Sequence, residues 1–465
     1  MMKNRFFVIL ALLSAATLSG RASGTSAAVF SDDVVTTPSG RVEGVLTDSS
    51  DVMVFKGIPY AEPPIGSLRW RRTIPVKPWE GVLHADHFRD IALQTDQDKG
   101  SFYEKEFFRF GMPHSSENSL YLNIWVPRRA LNNPAARMPV CMWIHGGAYQ
   151  NGYSYEMEMD GDEWARRGVI LVTVGYRMGI TGFLCHPELA KENADGQSGN
   201  YGLYDQITAL KWIHDNISAF GGDPANITVM GQSAGGGSVK NLVASPMSRS
   251  LIAKAIIESA GGLGNFLSGN DPVDYMQHTG KMLMDSLGFT TVEKMRDARS
   301  DEVRDPWSIC RRQGINTMRV FAPHTGDTAL PESFDNAVTD NSVADVPYLI
   351  GYTANDMMPM DEAINRFVDK RAEYSRQPVY SYEFTRRLPG DDAGAFHSSE
   401  LWYTFGTLAR SWRPFTPADY ALSKEMLDFW TNFAKYGNPN GTARRTVWKQ
   451  STPKKHFFMK LDIKK

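Results

Sequence analysis

Ser233 is the residue in this chain best placed to act as a nucleophile, because it sits at the centre of Gly231-Gln232-Ser233-Ala234-Gly235. A G-x-S-x-G run closes a sharp strand-to-helix turn, where the glycines leave room for crowded backbone and the serine Oγ is held outward. The context fits: Asp223 and Pro224 form a turn, Ile227 and Val229 carry a strand pattern, and Ala234, Ser238 and Val239 continue as a helix. A serine hydroxyl needs an imidazole to take its proton and a carboxylate to fix the imidazole tautomer. In strand-ordered hydrolases the chain order is serine, acid, histidine, which leaves His278, His324, His397 and His456 as bases. His397 is favoured, because LPGDDAGAFHSSELWY is a turn-rich loop after a strand, whereas His278 lies in a helical stretch and His456 in a Lys-flanked tail. For the acid, Asp356 follows the strand-breaking Gly351 in VPYLIGYTANDMM, with Asp361 and Glu362 as rivals. Developing negative charge needs backbone N–H donors, and the turn His145-Gly146-Gly147-Ala148-Tyr149 offers Gly147 and Ala148 alongside the amide of Ala234.

These residues need a scaffold of buried strands. Val140–Ile144 and Val169–Tyr176 are continuous apolar runs, as expected for strands covered on both faces of a mostly parallel sheet. Leu203, Ile207, Leu210, Ile213 and Ile217 fall at helical spacing just before the strand leading to Ser233. Further strands are expected at Ala255–Ile257, Pro347–Ile350 and Val379–Phe384, and a closing helix over Tyr420–Tyr436 capped by Gly437. The segments VTTPSGRVEGVL and VMVFKGIPYAEPP alternate apolar residues with turns, which predicts an antiparallel N-terminal β-region. The fold class is therefore α/β, with helices flanking a mostly parallel sheet.

With 465 residues, 42% of them hydrophobic, the chain buries a large core, and its formal charge of −2 gives no electrostatic basis for binding nucleic acid. Residues 1–28 read as a signal peptide, with Lys3 and Arg5 ahead of the apolar run Phe6–Leu13 and small residues after it. The expectation is a secreted or periplasmic protein with a single domain over 29–465 and no membrane span. Cys141, Cys185 and Cys310 are too few, and odd in number, to hold the fold by disulfides, and Cys141 reads as a buried small hydrophobe. No metal-ligand spacing occurs, and the chemistry above needs no cofactor.

Beyond these local readings, the chain resembles the type-B carboxylesterase and cholinesterase family over nearly its whole mature length. The resemblance runs through FKGIPYAEPPIGSLRWRR, SENSLYLNIW, WIHGGAY, GNYGLYDQITALKWIHDNISAFGGDP, GQSAGG, GYTAND, GAFHSSELWYTFG and FWTNFAKYGNPNG. It implies an α/β-hydrolase fold and carboxylic-ester hydrolysis, with Ser233 as nucleophile, Asp356 as acid, His397 as base, and Gly147, Ala148 and Ala234 as oxyanion donors. It also implies a structural Arg69–Glu117 pair and a hydrogen-bonding role for Ser259 behind the triad. Departures are Ser119 where the family usually has a cysteine, neutral Gln232 for the common Glu, Asp356 for the more frequent Glu, and a short Met357–Pro378 segment. No tryptophan is placed for stacking a choline, although Phe107, Phe108 and Phe110 are candidate pocket residues. The expected substrate is a small-molecule or glycan-linked ester, including acetyl or phenolic groups on polysaccharides. A non-catalytic binding or adhesion member of the same fold is the competing reading.

Overall fold

The structure, a computed structural model, describes residues 33–131, 133–264, 273–304, 307–442 and 447–464. Residues 1–28, read from the sequence as a signal peptide, lie outside the described residues. A ten-stranded sheet forms the frame, in the spatial order Phe458–Leu461, Val379–Phe384, Tyr348–Thr353, Lys254–Glu258, Gly222–Gln232, Met138–Ile144, Ile170–Val174, Tyr121–Pro127, Val52–Pro59 and Val45–Leu46. Its first seven strands run parallel, and the last three pair antiparallel. This is the mostly parallel α/β arrangement expected, with one refinement at the N-terminal end. The antiparallel region is split between two sheets: Val34–Thr37 and Gly40–Glu43 form a hairpin outside the main sheet, and Val82–His84 joins that hairpin in parallel.

The continuous apolar runs are explained by burial on both faces. Along Met138–Ile144, Val140, Met142 and Ile144 join one apolar cluster with Val229, while Cys141 and Trp143 join a second with Met230 and Ile256. Successive side chains of a strand point to opposite faces, so a strand covered on both sides has no polar position to spare. Cys141 is fully buried against Met230, and no disulfide joins any of the three cysteines.

The helix Tyr201–Asn216 buries Leu203, Ile207, Leu210 and Ile213 before the chain enters the Gly222–Gln232 strand. The closing helix runs Pro417–Tyr436, three residues longer at its start than the apolar spacing predicts. Thr416 and Asp419 form a capping box with Pro417 in the first turn, which fixes that start, and Gly437 at φ 65° closes the other end. Between Met357 and Pro378 the short segment folds as a helix, Asp361–Tyr374.

Strand order reverses beside Met138–Ile144, whose successor in sequence lies on one side and the Gly222–Gln232 strand on the other. Such a switch point opens a crevice at the carboxyl ends of the strands. In register, Gly231 sits opposite Ile144, so the turns leaving both strands emerge together.

Candidate active site

Ser233 stands between the Gly222–Gln232 strand and the helix Ala234–Ala244 with φ 57° and ψ −124°. A non-glycine residue at positive φ costs about 1–3 kcal/mol, so its neighbours must hold it there. They do so closely: a Cβ on Gly231 would strike Gly235, and one on Gly235 would strike the Ile144 carbonyl. The Ser233 N–H donates to the Glu258 carbonyl at 2.8 Å, and its own carbonyl accepts from Gly237 at 2.9 Å. Ala234 opens the helix, where first-turn amides have no intrahelical acceptor and the helix dipole favours negative charge.

The His145–Tyr149 turn packs directly over this corner. Gly146 lies so near that an added Cβ would come to 3.2 Å from the Ser233 Cβ. Gly147 has φ 98°, its carbonyl accepts from the Gln150 and Asn151 amides, and Gly147 and Ala148 line the cavity with Ser233. His145 is buried, bonded through Nδ1 to the Gly146 carbonyl at 2.9 Å, and stacked on Tyr176 at 4.5 Å. Burial lowers its pKa to about 4, so it is a neutral support for the turn.

His397 and Asp356 meet at 2.6 Å, Nδ1 to Oδ1. The Asp356 side chain is 1% exposed and accepts from the Met357 amide at 2.8 Å and the Thr353 hydroxyl at 3.1 Å. Burial alone raises its pKa, but the hydrogen bond and charge of His397, with bonds from Ser259 and Met357, hold it below the ordinary carboxylate value. The loops carrying the two residues are stitched together by reciprocal bonds, Asn355 N–H to the Ala395 carbonyl at 2.9 Å and Ala395 N–H to Asn355 Oδ1 at 3.0 Å. Asn355 was missed in the sequence, where it reads as ordinary loop polarity.

Gln232 does more than remove a charge. Its Nε2 lies 3.2 Å from His397 Nε2, so with Nδ1–H given to Asp356 the Nε2 lone pair accepts from the amide. That is the tautomer a general base requires. The other histidines lie apart: His278 is exposed on the helix Val273–Ser286, and His456 bonds Asp369 at 2.7 Å. His324 is buried between the Ser198 and Thr325 carbonyls. Asp361 and Glu362 are exposed on the first turn of the helix Asp361–Tyr374.

Arg69 and Glu117 make a buried bidentate pair at 2.7 and 2.6 Å. Arg69 also donates to the carbonyls of Met295, Arg296 and Ala298, so it ties the N-terminal segment to the C-terminal end of the helix Val292–Asp297. Ser259, at φ 50°, donates to Glu400 Oε1 at 3.0 Å, and Glu258 accepts from Trp430 at 2.6 Å. Glu258 and Glu400 are fully buried, and burial pushes both carboxyls up. A carboxyl whose folded pKa lies above its unfolded value stabilises the fold at low pH and loses that contribution as pH rises from about 4.5 through the folded value. Glu258→Gln should therefore flatten the decline in melting temperature between pH 5.5 and pH 8.5. An unchanged slope would show that Glu258 does not carry a proton in the native state.

Ser233, His397, Gly147 and Ala148 line one cavity of about 240 Å³ with Tyr103, Phe107 and Phe108. Phe110 is 80% exposed and takes no part, because the helix Phe102–Phe107 ends before it. A larger groove of about 460 Å³ on the Pro417–Tyr436 helix shares no residue with this cavity and offers no serine or histidine. Two acidic residues that the sequence did not single out, Glu156 and Glu158, also line the cavity, on a loop whose acidic residues carry no motif. Among the described residues no group of three or more metal-ligating side chains occurs, and no helix is long and apolar enough to cross a membrane.

Comparison with known proteins gives a consistent result. The model of the carboxylesterase family matches residues 31–372 and 360–465. Para-nitrobenzyl esterase of Bacillus subtilis is 32% identical over 88% of this chain and 91% of its own length. Fumonisin B1 esterase of Sphingopyxis macrogoltabida is 31% identical over 87% of this chain and 82% of its own. A solved structure of a PNB esterase superimposes with a TM-score of 0.79 at 28% identity, covering 93% of this chain and 96% of that one.

Proposed function

Because this chain belongs to the carboxylesterase family and has the α/β-hydrolase fold, we propose that it is a serine esterase that cleaves carboxylic esters through an acyl-enzyme. Ser233 Oγ attacks the ester carbonyl while His397 Nε2 takes its proton. Asp356 holds the imidazole by Nδ1 and stabilises the imidazolium. The amides of Gly147, Ala148 and Ala234 receive the oxyanion. His397 then protonates the departing alcohol, and water, deprotonated by the same imidazole, releases the acid. No step calls for a cofactor.

The observation that carries this reading is the 2.6 Å His397–Asp356 contact in the cavity that also holds a strained Ser233. Export is part of the proposal and rests on Lys3, Arg5 and the apolar run Phe6–Leu13, with residues 29–465 as one esterase domain. The substrate is a small-molecule or glycan-linked ester, with no role for nucleic acid.

A serine-directed fluorophosphonate separates this from a binding or adhesion role. Stoichiometric labelling mapped to Ser233, slowed by a short-chain aryl ester, is the expected result. Absence of labelling together with absence of ester turnover would leave only the non-catalytic reading.

A further inference from the structure

Glu156 and Glu158 lie on the loop that follows the Gly147 turn, and both residues line the cavity shared by Ser233 and His397. Glu158 is 1% exposed and Glu156 7%. The two carboxyls hydrogen-bond to each other, which requires a proton between them. The Tyr153 N–H donates to Glu156 Oε1 at 2.8 Å, while Glu158 Oε2 has no partner.

Four other buried acids are each paired with an arginine, and Glu258 and Glu400, which are not, do not line this cavity. Glu117 is paired with Arg69, Asp205 with Arg177, Asp419 with Arg386, and Glu106 with Arg413. Among the described residues no lysine or arginine pairs with Glu156 or Glu158, and the neighbouring charge that acts on Glu158 is the acidic Glu106. A buried carboxyl oxygen without a partner is costly. Here the residue that carries the unpaired oxygen lines a cavity that a substrate must enter, so a ligand can supply what the protein withholds.

The chemistry of that ligand follows from the pair. Two carboxyls sharing a proton present one O–H donor and several acceptor positions, which complements a group that both donates and accepts, namely a hydroxyl. The aromatic rings of Tyr103, Phe107 and Phe108 on the same cavity suit the carbon skeleton that bears such hydroxyls. We propose that Glu156 and Glu158 are specificity residues that bind vicinal hydroxyls of the substrate, making partially acylated polyols and sugars the preferred ester class. This rests on the hydrolysis proposed above. Burial pushes both carboxyls up, so the pair retains its shared proton at neutral pH and carries one negative charge where two free carboxylates would carry two. A quaternary ammonium has no N–H or O–H to donate, so it makes no hydrogen bond there.

The test uses isosteric substrates. On the alcohol side, 2,3-dihydroxypropyl acetate is compared with 2-methylbutyl acetate; on the acyl side, methyl 2,3-dihydroxypropanoate is compared with methyl 2-methylbutanoate. Wild-type protein should favour the hydroxylated member of at least one pair in kcat/KM, which also tells which side of the ester enters the carboxyl-lined part. In the double variant Glu156→Met, Glu158→Met that ratio should fall by about tenfold or more, because the change in the ratio from wild type to variant cancels the intrinsic reactivity of the two esters and reads only recognition. Glu158→Gln keeps a hydrogen-bonding side chain and should lose less. Fluorophosphonate titration counts competent sites in each variant, and Glu158→Gln decides the matter if the double variant fails to titrate. A ratio unmoved in every variant that titrates would overturn the proposal, as would a wild-type preference for acetylcholine over 2,3-dihydroxypropyl acetate. Neither result would touch the esterase reading, which fails only if wild-type protein neither labels nor cleaves any of the esters.

Discussion

Ser233→Ala lowers ester turnover by roughly 10⁴-fold or more while the protein stays folded. Alanine keeps the Cβ that sets the strain at φ 57° and keeps the N–H that bonds the Glu258 carbonyl, so the turn has no reason to rearrange. What disappears is the one oxygen able to form the acyl-enzyme, and the remaining members of the triad then have nothing to activate. His397→Ala falls by a similar factor, since groups that act as a unit are not additive. His456→Ala is nearly silent, because its ring is exposed and bound to Asp369. The measurement is kcat/KM on a short-chain aryl ester beside a thermal melt. Activity of Ser233→Ala within tenfold of wild type would remove Ser233 from the mechanism.

Asp356→Asn produces a loss of about 10⁴-fold through a different route. The asparagine NH2 faces His397 Nδ1 and donates to it, which moves the ring proton to Nε2 and leaves no lone pair for the Ser233 proton. Asp361→Asn and Glu362→Gln should stay within a few-fold of wild type, as both carboxylates are exposed on the helix beyond the acid loop. A neighbour that proves severe while Asp356→Asn retains most turnover would move the acid.

The scaffold was largely legible from hydrophobic pattern. Val140–Ile144 and Val379–Phe384 read as strands because residues buried on both faces leave an unbroken apolar run, and Ser233 was found through glycines with a steric reason to be there. The start of the Pro417–Tyr436 helix was missed although Thr416, Pro417 and Asp419 spell its cap, because apolar spacing was weighed and cap chemistry was not. Tyr121–Pro127, most of which falls within the SENSLYLNIW motif, is the strand where the sheet changes direction. Gln232 against His397, Asn355 against Ala395, and Glu156 beside Glu158 were hidden for a common reason. Each matters through a partner or a cavity supplied by the folded chain, and a polar residue in a loop carries no periodicity to betray it.

The reciprocal bonds between Asn355 and Ala395 have a consequence for motion. Two loops joined by a pair of bonds one residue from the acid and two from the histidine drift as one rigid body, so thermal displacement of either carries the other with it. Asp356 and His397 therefore keep their separation, whereas Ser233 belongs to a separate body wedged between strand ends. The Gln232 amide, next in sequence to Ser233, links the serine corner to His397, and that contact must loosen as the serine hydroxyl engages the imidazole.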